Sequence, residues 1–180
     1  HLADPVAAVR RKLFYLRGGY WILIDRTTPE TDAPHTCDLH FHLGAPFTLR
    51  DDGSVITTGD GGNLLILPVE GARGLAATEP CPFPIDGYDN PDHLWYTQTG
   101  SGPQLFVTLL VPFTGDSPDV RVALEPVFAD DRELAPREAT GLRIDLADRT
   151  DTYVDLHMQW NLPWQAGPHH GTQRLFHTSA

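Results

Sequence analysis

The fold is decided by residues 10–43, RRKLFYLRGGYWILIDRTTPETDAPHTCDLHFHL, which predict three successive β-strands. Residues 12–16 and 20–25 flank the tripeptide RGG at 17–19, whose glycines permit the positive φ of a tight hairpin turn. Residues 36–43 then alternate apolar and polar side chains. Because successive side chains of a strand point to opposite faces, this third strand has one apolar and one polar face.

The two faces of this third strand predict different roles. The apolar face, expected in the core, consists of Cys37, Leu39, Phe41 and Leu43, and the polar face consists of Asp38, His40 and His42. His40 and His42 are spaced to enter one metal coordination sphere, since imidazoles bind Zn²⁺ at about 2.0–2.1 Å. The same spacing is also typical of solvated or hydrogen-bonded strand histidines.

The rest of the chain continues in short alternating runs without a sustained helical period. These runs lie at residues 47–50, 54–58, 63–69, 104–113, 120–128, 141–146 and 152–160. Turn sequences at 51–53 and 147–150 favour antiparallel neighbours. We therefore predict an all-β protein, an antiparallel β-sandwich, and 180 residues suit a single domain. The predicted core includes Leu39, Phe41, Leu105, Val107, Leu109 and Val111.

Composition excludes two classes of partner. The formal net charge of −11 argues against binding to nucleic acid or to an anionic membrane surface. No run approaches the roughly 18–20 apolar residues that span a bilayer. Cys37 and Cys81 allow at most one disulfide, and a buried free thiol is the simpler reading of Cys37. The chain begins at His1 without a signal segment, so we expect a piece of a longer protein.

Residues 70–102 are rich in proline, glycine and aspartate and predict an ordered irregular loop. Long loops often carry function, and Trp95 and Tyr96 are candidates to stack on a sugar ring of a substrate. The alternative is that both residues open the strand that follows. No sequence pattern identifies a catalytic residue, because neither a nucleophile elbow nor a phosphate-binding loop is present.

Several weak motifs in order resemble one family. Arg10 and Arg11 open the first strand, an aromatic pair and an aliphatic run precede Asp25, and the third strand ends in FHL. Segments 94–113 and 138–156 fit the same pattern. The chain is therefore similar to the C-terminal β-domain of heparinase II/III-like polysaccharide lyases, over nearly its whole length.

The resemblance implies a function for the parent protein rather than for this chain alone. Family members cleave uronic-acid polysaccharides by β-elimination, with most catalytic groups in a preceding helical α/α-toroid domain. The chain would then contribute one wall of the cleft for an acidic polysaccharide and a surface toward the toroid domain. It is expected to show no lyase turnover alone, and the resemblance implies a periplasmic or secreted bacterial protein.

The resemblance also implies a zinc site. Asp25 matches the second family ligand and His42 the third, with His40 beside it, so Asp25, His40 and His42 are the candidate ligands. Where the family has its first histidine ligand, this chain has Val9. If residues 20–25 pair with residues 36–43, the Asp25 carboxylate approaches His42.

Two alternatives belong to other classes. A stand-alone carbohydrate-binding module would use Trp95, Tyr96, Trp160 and Trp164. A cupin-type metal protein would use the strand His40-Phe41-His42, but no glutamate follows between residues 43 and 49. Retained iron or manganese would favour the cupin, and glycan affinity without turnover would favour the module.

Overall fold

The protein is all-β in its computed structural model. The described residues are 7–17, 19–69, 75–80, 92–129, 131–135, 138–157 and 174–178. They form fifteen strands and no helix, and the described part therefore holds no helix that could cross a membrane. The chain divides into two compact units, residues 1–118 and 119–180. That both belong to one domain stays a prediction.

The first unit contains two antiparallel sheets. A six-stranded sheet has the order β1-β2-β9-β6-β5-β4, and a three-stranded sheet has the order β3-β8-β7. The strands are β1 (Ala7–Tyr15), β2 (Trp21–Pro29), β3 (His35–His42), β4 (Phe47–Leu49), β5 (Val55–Thr57), β6 (Asn63–Pro68), β7 (Leu75–Pro80), β8 (Asp92–Gly100) and β9 (Gln104–Phe113).

The two sheets of the first unit enclose a core to which both contribute. The buried residues of this core are Leu39, Val55, Ile66, Leu94, Tyr96 and Phe106. Phe41 is half-buried, packs against this core and meets Tyr96 edge to face at 6.0 Å between ring centroids. The antiparallel sandwich predicted from the alternating pattern is confirmed, and Asp38, which the pattern placed on the polar face of β3, is exposed.

The predicted hairpins form. In the turn between β1 and β2, the backbone N–H of Leu16 donates to the carbonyl of Tyr20 at 2.9 Å. In the turn between β4 and β5, Gly53 adopts a φ of 79°, which a residue with a β-carbon rarely does. The side chain of Asp52 also accepts hydrogen bonds from the backbone N–H and the hydroxyl of Ser54.

Strand β9 differs from the one-sided strand that the sequence predicted. Val107, Leu109 and Val111 are buried as predicted, and Leu105 is only half-buried. Phe106 and Thr108, on the opposite face, are also buried. β9 is a central strand of its sheet, because it lies between β2 and β6. A central strand whose two faces are both covered has apolar side chains on both faces, and its sequence is a nearly continuous apolar run.

The prediction of an irregular loop at residues 70–102 is wrong for residues 75–80 and 92–100. Strands β7 and β8 lie within it and pair with each other antiparallel. Pro80 ends β7, an edge strand of its sheet, where a missing backbone N–H is tolerated. Residues 70–74 and 81–91 of that segment lie outside the described residues.

The second unit contains a four-stranded sheet and a short two-stranded one. The four-stranded order is β10-β13-β14-β15. The strands are β10 (Arg121–Glu125), β11 (Phe128–Ala129), β12 (Arg132–Glu133), β13 (Ala139–Asp145), β14 (Thr150–Leu156) and β15 (Arg174–Thr178). Leu142, Ile144 and Tyr153 are fully buried, and the hairpin predicted at 147–150 joins β13 to β14.

Candidate functional site

The outer face of the three-stranded sheet carries the histidines that the sequence singled out. Leu39 and Phe41 of β3 point toward the core, so the alternation turns His40 and His42 to the opposite, exposed side. This separation is the one that the sequence pattern predicted. His40 and His42 are both exposed.

Strand β8 adds two more rings to this face. His42 is in register with His93, and His40 is in register with Trp95. The four rings form what we call the ring cluster, namely His40, His42, His93 and Trp95. His93 lies 4.9 Å from Trp95, 5.4 Å from His42 and 5.5 Å from His40 between ring centroids, and His40 lies 6.2 Å from Trp95.

The same face becomes polar toward the other end of the two strands. The hydroxyl of Thr97 donates to Asp38 Oδ1 at 2.6 Å, and the hydroxyls of Thr36 and Thr99 lie 3.0 Å apart. Asp38, Thr36 and Thr99 are exposed. Cross-strand hydrogen bonds of this kind add to the pairing of β3 with β8.

His93 is the residue of this cluster that sequence reasoning missed. It lay in a segment assigned to a loop because of its prolines. The run DHLWYTQTG at 92–100 nevertheless alternates, with Leu94 and Tyr96 facing the core. That alternation was the signal that placed His93 and Trp95 on one face.

Tyr96 is not a sugar-stacking residue, contrary to the prediction. It is 1% exposed, belongs to the core, and its hydroxyl donates to the carbonyl of Gly53 at 2.9 Å. Trp95 is half-buried and lies on the outer face. The two neighbours point to opposite sides of β8, so only Trp95 stays a candidate. Trp160 and Trp164 lie outside the described residues.

Asp25 is placed apart from the ring cluster. Strand β2 pairs with β1 and β9, whereas β3 pairs with β8, so the pairing assumed for the zinc site is wrong. Asp25 is in register with the core residue Phe106 and is 5% exposed. It therefore faces inward, whereas His40 and His42 lie on the outer side of the other sheet.

The carboxylate of Asp25 is bound by a guanidinium. Arg11 Nε donates to Oδ1 at 2.6 Å, and Arg11 Nη2 donates to Oδ2 at 3.1 Å. Such a bidentate pair neutralises the carboxylate without a metal. Across the described residues, no three histidine, cysteine or acidic side chains form a group that could hold a metal ion. Asp25, His40 and His42 thus do not form the implied three-ligand site, and zinc binding stays a prediction.

A second surface of the first unit is an apolar groove of about 770 Å³. Its apolar lining consists of Leu13, Trp21, Leu64, Leu110, Pro112 and Phe113. Tyr15 stacks on Trp21 with 4.8 Å between the ring centroids. Leu13 is 61% exposed and Tyr15 is 51% exposed, although both are apolar residues of a sheet. Exposed apolar area of this kind is typical of a surface that contacts another protein surface.

The second unit holds a buried polar group of its own. His157 Nδ1 lies 3.1 Å from Asp155 Oδ2, and its Nε2 lies 2.7 Å from the hydroxyl of Thr140. Tyr153 is fully buried, and this burial, with a smaller effect of the Asp155 charge, raises the pKa of its phenol well above 10.0. These contacts tie β13 to β14, and we assign them a structural role.

Comparison with known proteins gives the fold. A heparan sulfate lyase, the HepC mutant from Pedobacter heparinus, matches with a TM-score of 0.61 and 16% identity, over 95% of this chain. Heparinase III matches with a TM-score of 0.59 and 15% identity, over 82% of this chain. No protein-family model matches the chain, and no curated protein matches it significantly.

At these identities the likeness is one of fold. The chain has the β-fold of a part of these enzymes, which confirms, for the fold, the resemblance inferred from the sequence. It spans 24% of the length of the first structure and 23% of the second.

Proposed function

We propose that this chain is the C-terminal β-domain of a heparinase II/III-like polysaccharide lyase. The observation that carries the proposal is the structural match, which covers 95% of this chain but 24% of a heparan sulfate lyase. A chain with the fold of one part of an enzyme is expected to act together with the remaining parts. In this proposal the catalytic groups lie in a helical toroid domain of the parent protein.

The apolar groove is the surface that would contact the toroid domain. Leu13 and Tyr15 are more than half exposed on an edge strand, and Trp21 lies beside them. The lyase structures with this fold are about four times as long as this chain, so a partner domain in the same polypeptide accounts for such a surface. An interdomain surface of this composition would exclude water along the groove.

The substrate in this proposal is an acidic polysaccharide that contains uronic acid. The family reaction neutralises the sugar carboxylate, removes the proton at C5 and protonates the leaving oxygen. The chain itself would supply a wall of the cleft and no catalytic residue. Trp95, half-buried on the outer face of the three-stranded sheet, supports a role in contact with sugar.

The second candidate is a carbohydrate-binding module that acts alone. Trp95 on the outer face of the three-stranded sheet supports this function as much as it supports the lyase domain. The two proposals differ in what the apolar groove does. A module needs no partner on that groove, whereas a lyase domain does.

The test is a paired lyase assay. The full parent protein and the 180-residue chain alone are each incubated with heparan sulfate, heparin, alginate and hyaluronan, and the ultraviolet absorbance of the unsaturated uronate product is followed. The proposal expects product from the parent on at least one of these polymers and none from the chain alone. Product from the chain alone that disappears with a substitution in this chain, or a parent inactive on all four, would overturn it.

A further inference from the structure

Strand β1 has a free edge. It is the end strand of the six-stranded sheet and, in the part of the chain that the structure describes, it pairs with β2 alone. It is nine residues long, contains no proline and pairs with β2 without a bulge. Prolines and bulges commonly protect edge strands, because an open row of backbone N–H and C=O groups is a template for another strand.

The hydrogen-bond pattern identifies the backbone groups on this edge. The N–H of Leu16 donates to the carbonyl of Tyr20 at the β1–β2 turn, so the backbone of Leu16 is directed toward β2. Along an antiparallel strand, residues bonded to the partner alternate with residues whose backbone groups point to the other side. The N–H and C=O groups of Val9, Arg11 and Leu13 therefore point away from β2.

The same residues carry exposed apolar side chains. Val9 is 70% exposed and Leu13 is 61% exposed, and Leu13 also lines the apolar groove. The guanidinium of Arg11, which lies between them, is neutralised by Asp25. An added strand would thus satisfy the backbone groups of the edge and cover its apolar side chains. In strand addition the main chain supplies affinity and the alternate side chains supply specificity.

Charge decides between a second copy of this chain and a segment of the parent protein as the added strand. Two copies of β1 can pair antiparallel with Val9 of one opposite Leu13 of the other. In that register, Arg10 of each copy lies opposite Lys12 of the other, and like charges directly opposite are destabilising. A different strand avoids this cost. The lyase structures with this fold are about four times as long as this chain, so a parent of that size contains ample polypeptide for such a strand.

We propose that an extended segment of the parent protein, outside these 180 residues, pairs with the free edge of β1 and lengthens the six-stranded sheet by one strand. Apolar residues of this segment lie beside Val9 and Leu13. Acidic or neutral residues lie beside Arg10 and Lys12, so that no like charges meet. The inference rests on the proposed function for the existence of the partner domain, and it specifies how that domain contacts β1.

The experiment is residue-resolved hydrogen exchange of the 180-residue chain and of the full-length parent protein. The amides of Val9, Arg11 and Leu13 are followed, and the amide of Leu109 in the central strand β9 is the reference. Leu13→Pro removes an outward N–H that β2 does not use, and edge strands tolerate such a proline. Leu13→Ala, the matched control, keeps the N–H and removes most of the side chain. Circular dichroism verifies that each variant is folded, and Val9→Pro replaces Leu13→Pro if the latter does not fold.

The three amides should exchange rapidly in the isolated chain and at least about tenfold more slowly in the parent, whereas Leu109 should exchange alike in both. In the parent, Leu13→Pro should abolish the protection of the amides of Val9 and Arg11, and Leu13→Ala should keep most of it.

Equal exchange of the three amides in the chain and the parent would overturn the inference. Slow exchange in the isolated chain would also overturn it, and an increase of that protection with concentration would indicate a second copy. Protection lost equally in Leu13→Pro and Leu13→Ala would show a contact of side chains without strand pairing. The lyase assay decides the proposed function separately, because exchange reports backbone pairing whether or not a polymer is cleaved.

Discussion

At the scale of single residues, the Arg11–Asp25 ion pair neutralises the inward-facing carboxylate of Asp25. The side chain of Asp25 is 7% exposed, whereas that of Arg11 is 57% exposed. An inward carboxylate needs a partner, because an unpaired charge away from water is costly. Where the resemblance implies a metal ligand, the structure has an ion pair.

Removing the guanidinium should therefore destabilise the protein. For Arg11→Ala we expect a loss of about 1–3 kcal/mol in the free energy of unfolding, less than for a fully buried pair because Arg11 is partly solvated. The double variant Arg11→Ala/Asp25→Asn should recover part of this loss, since the buried charge is then gone. Urea denaturation measures both values.

The matched control is Arg143→Ala. Its pair with Asp145 is more open, with side chains 54% and 38% exposed, and such pairs contribute roughly 0–1 kcal/mol. If Arg11→Ala cost no more than Arg143→Ala, the Asp25 carboxylate would not depend on Arg11.

The raised pKa of Tyr153 predicts that the protein loses stability at alkaline pH. Its folded pKa is raised above the unfolded value of 10.0, so the folded state keeps the proton after the unfolded state has lost it. The contribution is complete below pH 10.0 and is lost as the pH rises toward the folded pKa. Tyr153→Phe should flatten this alkaline decline in denaturation at stepwise pH. A steep decline that persists in Tyr153→Phe would contradict the assignment.

The sequence predicted individual residues where a local pattern sufficed. Alternation placed His40 and His42 opposite Leu39, and the structure agrees. The expected approach of Asp25 to His42 was wrong because it required β2 to pair with β3, whereas β3 pairs with β8. Most but not all consecutive strands pair. Whether Asp25 meets His42 depends on pairings across the whole unit, which no local pattern encodes.

At the scale of elements, strands β3 and β8 position the candidate site. Their register brings His42 beside His93 and His40 beside Trp95, while Leu94 and Tyr96 anchor the inner face. Strand β8 was missed because proline-rich flanks resemble a loop. The alternation of residues 92–100 was present in the sequence, but the prolines on its N-terminal side favoured a loop.

In the second unit, the close approach of β10 and β13 predicts the effect of one substitution. A β-carbon at Gly141 would lie 2.5 Å from the carbonyl oxygen of Glu125 and 2.8 Å from Val127 Cγ2. Gly141→Ala should therefore cost about 1–3 kcal/mol of unfolding free energy, by crowding of the kind seen in overpacked cores. Gly61→Ala, where no atom lies within 4 Å of the added carbon, should change stability by less than about 0.5 kcal/mol. Equal denaturation midpoints for the two variants would show that the strands are not so close.

At the scale of the whole molecule, the fold class followed from the sequence and the function did not. Short alternating runs determine an all-β sandwich, because each strand must bury one face. The strand order in which β9 separates β2 from β6 arises from long-range pairing. The apolar groove was not predicted, since Leu13 and Tyr15 read as ordinary strand residues.

The most direct test of the account is complementation of lyase activity. The helical domain that the proposal places before this chain and the 180-residue chain itself are produced separately, mixed, and assayed for unsaturated product from uronic-acid polysaccharides. We expect activity only in the mixture, lost when the chain carries Leu13→Asp in the groove and retained with Thr36→Val. Full activity of the helical domain alone, or undiminished complementation by Leu13→Asp, would contradict the claim that this chain works by docking through that groove.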